Sequence, residues 1–158
     1  MAIALIPARL KSSRLQNKPL IKIGGLPMIV RVLRRTLKSK KFKKVIVCAD
    51  DIKILNVLKK YNHSGVLTSK SHRNGTERIA EIAKKIKSKL IVDVQCDSVF
   101  VNHKNLEKLL DFHKKNMHFD IVIPHINFEK TKDKSAVKMV TNNKNEITYM
   151  SREDIPFS

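Results

Sequence analysis

The residues best suited to chemistry in this sequence lie near its amino terminus, directly after the apolar run 3–7. They are three fixed cations and two hydroxyls, namely Arg9, Arg14, Lys18, Ser12 and Ser13. Together with exposed backbone amides, such groups suit an anion such as a phosphate. A solvated basic loop is the alternative interpretation, and only the position after an apparent buried strand favours the anion site.

Two further polar groups end apolar runs. Asp50 and Asp51 follow the run 45–49, and Gln95 to Ser98 close the run that begins at Leu90. Because the carboxyl ends of parallel strands open at one edge of a sheet, we expect these groups to converge there. Asp97 suits Mg²⁺, which usually takes one or two carboxylates with water and substrate oxygens, although a turn cap is the alternative. Asp50 and Asp51 are interpreted as helix caps.

The segment 71–78 combines turn residues with side chains able to read a base edge or close over a ligand, although Thr76 and Glu77 also suit a helix start. Several other chemistries lack their signatures. The six histidines show no metal-ligand spacing, no hydrolytic triad stands out, and Gly24-Gly25 is not a dinucleotide fingerprint.

The elements that position these residues follow from the apolar periodicity. Strands are predicted at 3–7, 45–49, 66–68, 90–95 and 120–124. Helices are predicted at 27–39, after Asp51, from near Thr76, and around 106–110. Short strands alternating with amphipathic helices indicate an α/β fold with a mostly parallel sheet covered on both faces. The runs 137–140 and 147–150 around the turn 142–145 predict a hairpin.

Length and composition predict one soluble cytoplasmic unit. The chain of 158 residues is 42% hydrophobic, has no run long enough to cross a membrane, and shows no signal-peptide pattern. Cys48 and Cys96 are too few and too far apart for a disulfide framework, so both are predicted to be reduced thiols. An open sheet edge would favour dimerisation or poor solubility.

The formal net charge of +19 raises the question of polyanion binding. The cations are mostly lysines scattered along predicted helix faces, and only 5% of the residues are aromatic. Most of the charge is therefore interpreted as solvated surface, with nonspecific binding to nucleic acid or acidic membranes as an open alternative.

The sequence resembles the sugar-acid cytidylyltransferases, most closely the 3-deoxy-manno-octulosonate (Kdo) cytidylyltransferases, or CMP-Kdo synthetases. The resemblance is collinear over nearly the whole chain. Its motifs are Leu5–Arg9, Ser12, Arg14-Leu15, Lys18–Leu20, Gly25–Ile29, His72, Gly75–Arg78, Val94-Gln95, Asp97, Val137-Lys138, Tyr149–Arg152 and Ile155-Pro156.

The resemblance implies a Rossmann-like three-layer α/β/α nucleotide-diphospho-sugar transferase fold with a hairpin near the carboxyl terminus. It implies that CTP and Kdo give CMP-Kdo and pyrophosphate for lipopolysaccharide synthesis, with Mg²⁺ as cofactor and a possible homodimer. The implied nucleotide-binding residues are Ala8, Arg9, Ser12, Ser13, Lys18, Arg73 and Gln95. Arg9, Lys18 and Asp97 would be catalytic, Asp97 would hold the metal, and Arg152 would bind the carboxylate of the sugar acid.

The sequence departs from the family pattern around the metal aspartate. Where the family has glycine, glutamate and proline, this chain has Cys96, Ser98 and Val99. The resemblance also implies a single domain over 1–158 that lacks the family's carboxyl-terminal portion. A noncatalytic CTP-binding homologue and a cytidylyltransferase for another sugar acid are therefore the alternatives.

Overall fold

A computed structural model describes residues 2–11, 15–127 and 133–155 of the chain. The chain divides into two compact units, Met1–Val122 and Ile123–Ser158. The sequence-based prediction of a single domain over 1–158 stays a prediction.

The first unit alternates strands and helices, as the sequence pattern predicts. Its strands are β1 (Ala2–Ala8), β2 (Lys22–Ile23), β3 (Leu26–Pro27), β4 (Phe42–Ala49), β5 (Gly65–Leu67) and β6 (Ile91–Asp93). Its helices are α1 (Met28–Thr36), α2 (Ile52–Lys60), α3 (Gly75–Ala83) and α4 (His103–Lys115). Across the described residues, no helix is both long and apolar enough to cross a bilayer.

The main sheet has four parallel strands in the order β5, β4, β1, β6. Its central strand β1 is buried along its whole length. The register pairs Ala8 with Ala49 and Leu5 with Asp93. The chain therefore leaves β1, β4 and β6 at one common edge.

The side chains of β1 alternate between two cores. The core that includes Ala4 and Ile6 contains residues of α1, α2 and α4, whereas Ile3 and Leu5 pack with Ile79 of α3. Helices thus cover both faces of a parallel sheet, which confirms the predicted three-layer α/β/α class.

The helices α2, α3 and α4 of the first unit begin at short polar residues that cap them. Asp51 accepts a hydrogen bond from the Lys53 N–H at 2.9 Å, and Asn74 accepts one from the Glu77 N–H at 2.8 Å. Gly75 allows the start of α3 to approach β1 closely, because a Cβ there would lie 3.2 Å from Cγ of Pro7. The tip of α3 consequently reaches the edge at which β1 ends.

The second unit contains the hairpin predicted near the carboxyl terminus. Its strands, β7 (Lys138–Thr141) and β8 (Ile147–Ser151), pair in antiparallel fashion. The Lys138 ammonium donates to the carbonyls of Asp133 and Arg152, each at 2.6 Å, and so ties both ends of the hairpin together.

The predicted strand at 120–124 is wrong. The structure has no strand at these residues, and Ile121 is 75% exposed. Apolar residues favour a strand, but the strand forms only where a neighbouring backbone supplies hydrogen bonds. Within the described residues, β6 pairs with β1 on one side and its other edge has no partner strand.

Candidate active site

The ends of β1, β4 and β6 bring polar groups together at one edge of the sheet. The Asp50 N–H donates to the carbonyl of Ala8 at 3.2 Å, which joins the ends of β1 and β4. Lys18, which follows β1 in the chain, forms an ion pair with Asp97, which follows β6. The structure therefore places the predicted site residues Ala8, Lys18 and Asp97 at this edge, and their roles stay predictions.

The loop after β1 is closed at its base by backbone hydrogen bonds. The Asn17 N–H donates to the carbonyl of Leu10 at 3.1 Å, and Asn17 has the left-handed conformation that asparagine tolerates, with φ of 53°. Arg9 and Lys18 therefore flank the two points where the loop closes. Ser12 and Ser13, predicted to line this loop, lie outside the described residues.

The Lys18–Asp97 ion pair is partly open to solvent. The Lys18 side chain is 28% exposed and that of Asp97 is 49% exposed. An ion pair of this kind contributes only about 0–1 kcal/mol to stability, because water competes for both charges. Phosphate oxygens can therefore replace Asp97 beside Lys18 at little cost, which leaves the carboxylate free for a cation.

Arg9 connects this loop to the segment before α3. Its Nη1 donates to the carbonyl of Arg73 at 3.3 Å. The Arg73 side chain is 89% exposed, and its Nε pairs with Oε1 of Glu77 at 3.3 Å. The Arg9 guanidinium thus holds the backbone of a segment that is distant in the sequence.

Gln95 lies between β6 and the start of α3. Its Nε2 donates to Oδ2 of Asp93 at 2.7 Å. Its Oε1 lies 3.8 Å from the point that a Cβ on Gly75 would occupy. Since a glutamine side chain offers both a donor and an acceptor, this position suits recognition of a nucleobase edge.

Cys96 stands among the charged groups of the site. Burial, followed by the charge of Asp97, raises the pKa of its thiol to about 11, although the nearby cations Lys18 and Arg9 oppose the shift. The sequence signals this position only as a departure from the family's glycine. The structure shows a partly buried cysteine among the groups that would hold a nucleotide.

We predict that Cys96 reacts slowly with thiol reagents in the folded protein. Its pKa of about 11, against an ordinary 9.0, lowers the thiolate fraction at pH 8 by about 100-fold, and the thiolate is the reactive form. Stopped-flow reaction with Ellman's reagent checks this in the Cys48→Ser variant, where Cys96 is the remaining thiol. A folded-state rate equal to the rate in denaturant would contradict the prediction.

Two carboxylates of α3 hold the segment that carries Arg73. Glu81 accepts hydrogen bonds from the Ser69 N–H at 2.9 Å and pairs with Nε2 of His72 at 2.8 Å. Glu77, one turn earlier, accepts from the Arg73 N–H at 2.9 Å. The sequence predicted that this segment faces a ligand, but it did not reveal that Glu77 and Glu81 anchor it. The only sequence signal for these anchors is the spacing of the two glutamates along one helix.

The Glu81 anchor predicts a pH dependence of stability. The hydrogen bond from the Ser69 N–H, with those from His72 and Lys85, lowers the pKa of Glu81 from 4.5 to about 2. A carboxylate whose pKa is lowered by folding stabilises the protein above its unfolded pKa and loses that contribution as the pH falls. Glu81→Gln is therefore expected to destabilise the protein at neutral pH and progressively less below pH about 4.5.

Urea unfolding of the wild type and Glu81→Gln between pH about 6 and 3 measures this difference. Lys84→Gln, a change directly after the end of α3 and outside the anchor, is the control. A wild-type-to-variant gap that stays constant over this range would refute the assignment.

Asp50 has a role that the sequence did not reveal. The cap interpretation holds for Asp51 and is wrong for Asp50, whose Oδ1 instead accepts a hydrogen bond from the Leu10 N–H at 3.1 Å. Its Oδ2 lies 3.9 Å from Nη2 of Arg78. Arg78 and the buried Ile82 are separated by one helical turn. The sequence could therefore have placed Arg78 on the buried face of α3.

Arg152 belongs to the second unit, where backbone carbonyls hold its guanidinium. Its Nη1 donates to the carbonyls of Ser135 at 2.7 Å and Lys134 at 3.3 Å. Its predicted contact with a sugar-acid carboxylate stays a prediction.

The donor set at the site fits a metal held jointly with a substrate. Among the described residues, no three histidines, cysteines or acidic residues are grouped closely enough to hold a metal ion by themselves. Asp97 does present a half-exposed carboxylate at the sheet edge. One carboxylate combined with phosphate oxygens and water is a usual coordination set for Mg²⁺, so Asp97 fits that role only with a nucleotide present.

Comparison with known proteins identifies the class to which this fold and site belong. The family model for cytidylyltransferases matches residues 3–158, and the chain belongs to that family. Within it, the chain is 38% identical over 161 residues to the 3-deoxy-manno-octulosonate cytidylyltransferase of Chlorobium phaeobacteroides. It is 31% identical over 162 residues to the enzyme of that name from Escherichia coli. These alignments cover 99% of this chain and 65% and 64% of those relatives.

Solved structures show the same relationship. A CMP:2-keto-3-deoxy-manno-octonic acid synthetase determined in complex with CTP matches with a TM-score of 0.85 and 30% identity, covering 99% of this chain and 66% of that one. A cytidylyltransferase from Leptospira borgpetersenii matches with a TM-score of 0.63 and 26% identity over 73% of this chain and 49% of its own. The chain thus spans a little under two thirds of the length of the relatives that match it over 99% of its residues.

Proposed function

We propose that this chain binds CTP at the β1–β4–β6 edge and belongs to an enzyme that couples CTP to Kdo. The observation that carries the proposal is the meeting of Arg9, Lys18 and Asp97 at that edge in a member of the cytidylyltransferase family. Support also comes from the similar synthetase, whose structure was determined with CTP.

In this proposal the basic loop binds the triphosphate. Lys18 and Arg9 contact phosphate oxygens, Ser12 and Ser13 donate from the loop, and the Ala8 backbone contacts the nucleotide. The anomeric hydroxyl of the sugar attacks the α-phosphate, a new P–O bond forms, and the bond to the β-phosphate breaks to release pyrophosphate. Fixed cations lower the barrier because negative charge develops on the phosphate oxygens.

A divalent cation, proposed to be Mg²⁺, would supply positive charge that offsets this negative charge when bound. Asp97 is the residue that would hold it. The exposed pair that Asp97 forms with Lys18 allows both partners to turn to the ligand when nucleotide arrives.

The base and the sugar are assigned to other elements. Arg73 and Gln95, from the segment before α3 and the end of β6, are proposed to recognise cytosine. Arg152 is proposed to pair with the carboxylate of the sugar acid. CMP-Kdo formation for lipopolysaccharide synthesis, a cytoplasmic location and a homodimer complete the proposal.

One observation favours a second candidate, a noncatalytic CTP-binding protein. Cys96 brings a Cβ and a partly buried sulfur next to Asp97, where the family has glycine. Glycine permits a close approach of backbone to ligand, so a side chain here can crowd the phosphates.

Pyrophosphate release from CTP, with Kdo and Mg²⁺ present, tests the proposal, and an equal assay with sialic acid tests the choice of sugar. Turnover with Kdo above the sialic acid rate supports it. CTP binding without turnover supports the noncatalytic candidate, whereas neither binding nor turnover contradicts both.

A further inference from the structure

Arg78 is the largest fully buried side chain that the described residues contain. It is 2% exposed. Taking a guanidinium out of water costs several kcal/mol unless its N–H groups find acceptors. The residues around Arg78 must therefore supply those acceptors. The positions of these acceptors show which segments Arg78 connects.

The acceptors of Arg78 belong to the segment that precedes α3 and to the residue that follows β4. Nη1 donates to Oγ1 of Thr68 at 2.6 Å and to the carbonyl of Ser69 at 3.0 Å. Nη2 faces Oδ2 of Asp50 at 3.9 Å. Thr68 is itself fixed, since its hydroxyl donates to the Ala49 carbonyl at 2.9 Å. Arg78 thus holds the start of the segment 69–73 against the end of β4.

Asp50 continues the connection toward the loop after β1. While Oδ2 faces Arg78, Oδ1 accepts from the Leu10 N–H at 3.1 Å. The Leu10 carbonyl accepts from the Asn17 N–H, which closes the loop. Leu10 is therefore fixed through both of its backbone groups, directly beside Arg9.

We infer that the Asp50–Arg78 pair is a positioning unit that holds the loop at Leu10 and the segment 69–73 in one fixed arrangement. The inference rests on the proposed function, because these two segments carry the groups assigned to the phosphates and the base. The exposed Arg9–Arg73 contact joins the same two segments, but water competes with it. The buried pair is the connection that water does not weaken.

A purely stabilising pair and a positioning pair respond differently to an apolar replacement. Apolar residues of similar volume often substitute for a buried ion pair with little loss of stability. The double variant Asp50→Leu/Arg78→Met therefore removes the connection while retaining the packing. Lys41→Met/Asp111→Leu, which removes a more exposed ion pair between the residue before β4 and α4, is the control.

Two measurements on the full chain decide the inference: amide hydrogen exchange by NMR, and CTP affinity by calorimetry. In Asp50→Leu/Arg78→Met we expect faster exchange both at Leu10 and within 69–73, and CTP binding about tenfold weaker. The control should change neither. Faster exchange in one segment alone, or unchanged CTP affinity in a folded variant, would overturn the inference.

Failure of the proposed function gives a different result. If the wild type does not bind CTP, that function is lost, while the exchange data still decide whether the pair connects the two segments. If the double variant does not fold, Asp50→Asn replaces it, since asparagine keeps an acceptor for Leu10 but loses the charge facing Arg78. Faster exchange confined to 69–73 is then expected, and unchanged exchange there would refute the inference.

Discussion

Replacing Asp97 by asparagine is expected to reduce nucleotidyl transfer by about 100- to 1,000-fold, the scale on which removing one electrostatic contribution slows an enzyme. Asparagine keeps the size of the side chain but loses the charge that would hold Mg²⁺. The variant also frees Lys18 from its ion pair. CTP affinity without metal should therefore stay the same or increase, while the gain in affinity that Mg²⁺ gives should disappear.

Calorimetric titration with CTP, with and without Mg²⁺, measures that gain in the wild type and in Asp97→Asn. Asp93→Asn is the control, because this neighbouring carboxylate is held by Gln95 and is not assigned to the metal. The same dependence of CTP affinity on Mg²⁺ in wild type and Asp97→Asn would show that Asp97 does not hold the metal.

Replacing Lys18 by methionine is expected to weaken CTP binding by about 10- to 100-fold. A hydrogen bond to a charged group contributes about 1.5–3 kcal/mol, and methionine retains the length of the side chain without its charge. The change leaves Asp97 as an unpaired, half-exposed carboxylate near the phosphates, which adds repulsion to the loss of attraction. Little change in folding stability is expected, since the ion pair is exposed to solvent.

Lys22→Met is the matched control for this prediction. Lys22 is an exposed residue of β2, so the variant removes an equal charge from nearby in the chain. If both variants weaken CTP binding equally, the effect comes from the overall positive charge and not from a phosphate contact at Lys18.

The layered fold could be predicted from the sequence because each buried strand is a short apolar run. Ala2–Ala8 and Phe42–Ala49 contain such runs, and Met28–Thr36 shows clear helical periodicity. The apolar segment 120–124 misled the prediction because strand formation depends on a partner backbone, which local composition does not report.

The site could be predicted in part, for a similar reason. The cations at Arg9 and Lys18 and the carboxylate at Asp97 follow apolar runs, so their convergence follows from parallel topology. Asp50 looked like a helix cap because its chain neighbour Asp51 is one. Its actual partner, Leu10, is distant in sequence, and such a pairing becomes visible only once the strands are in register.

The two glutamates that anchor the segment before Arg73 were missed on the same grounds. Glu77 and Glu81 have the spacing of an ordinary solvated helix face. What distinguishes them is the backbone that folds back over α3, where the Ser69 and Arg73 amides donate to them. No local pattern in the sequence encodes that return.

An NMR titration of the wild type with CTP and with UTP in Mg²⁺ tests most directly whether this sheet edge is a CTP site. Saturable shifts of the amides around Arg9, Lys18, Gln95 and Asp97 are expected, with UTP binding at least about tenfold more weakly because Arg73 and Gln95 would read the cytosine edge. Equal, unsaturable shifts spread over the lysine-bearing helix faces would show that the +19 charge merely attracts polyanions, and would contradict a CTP site at this edge.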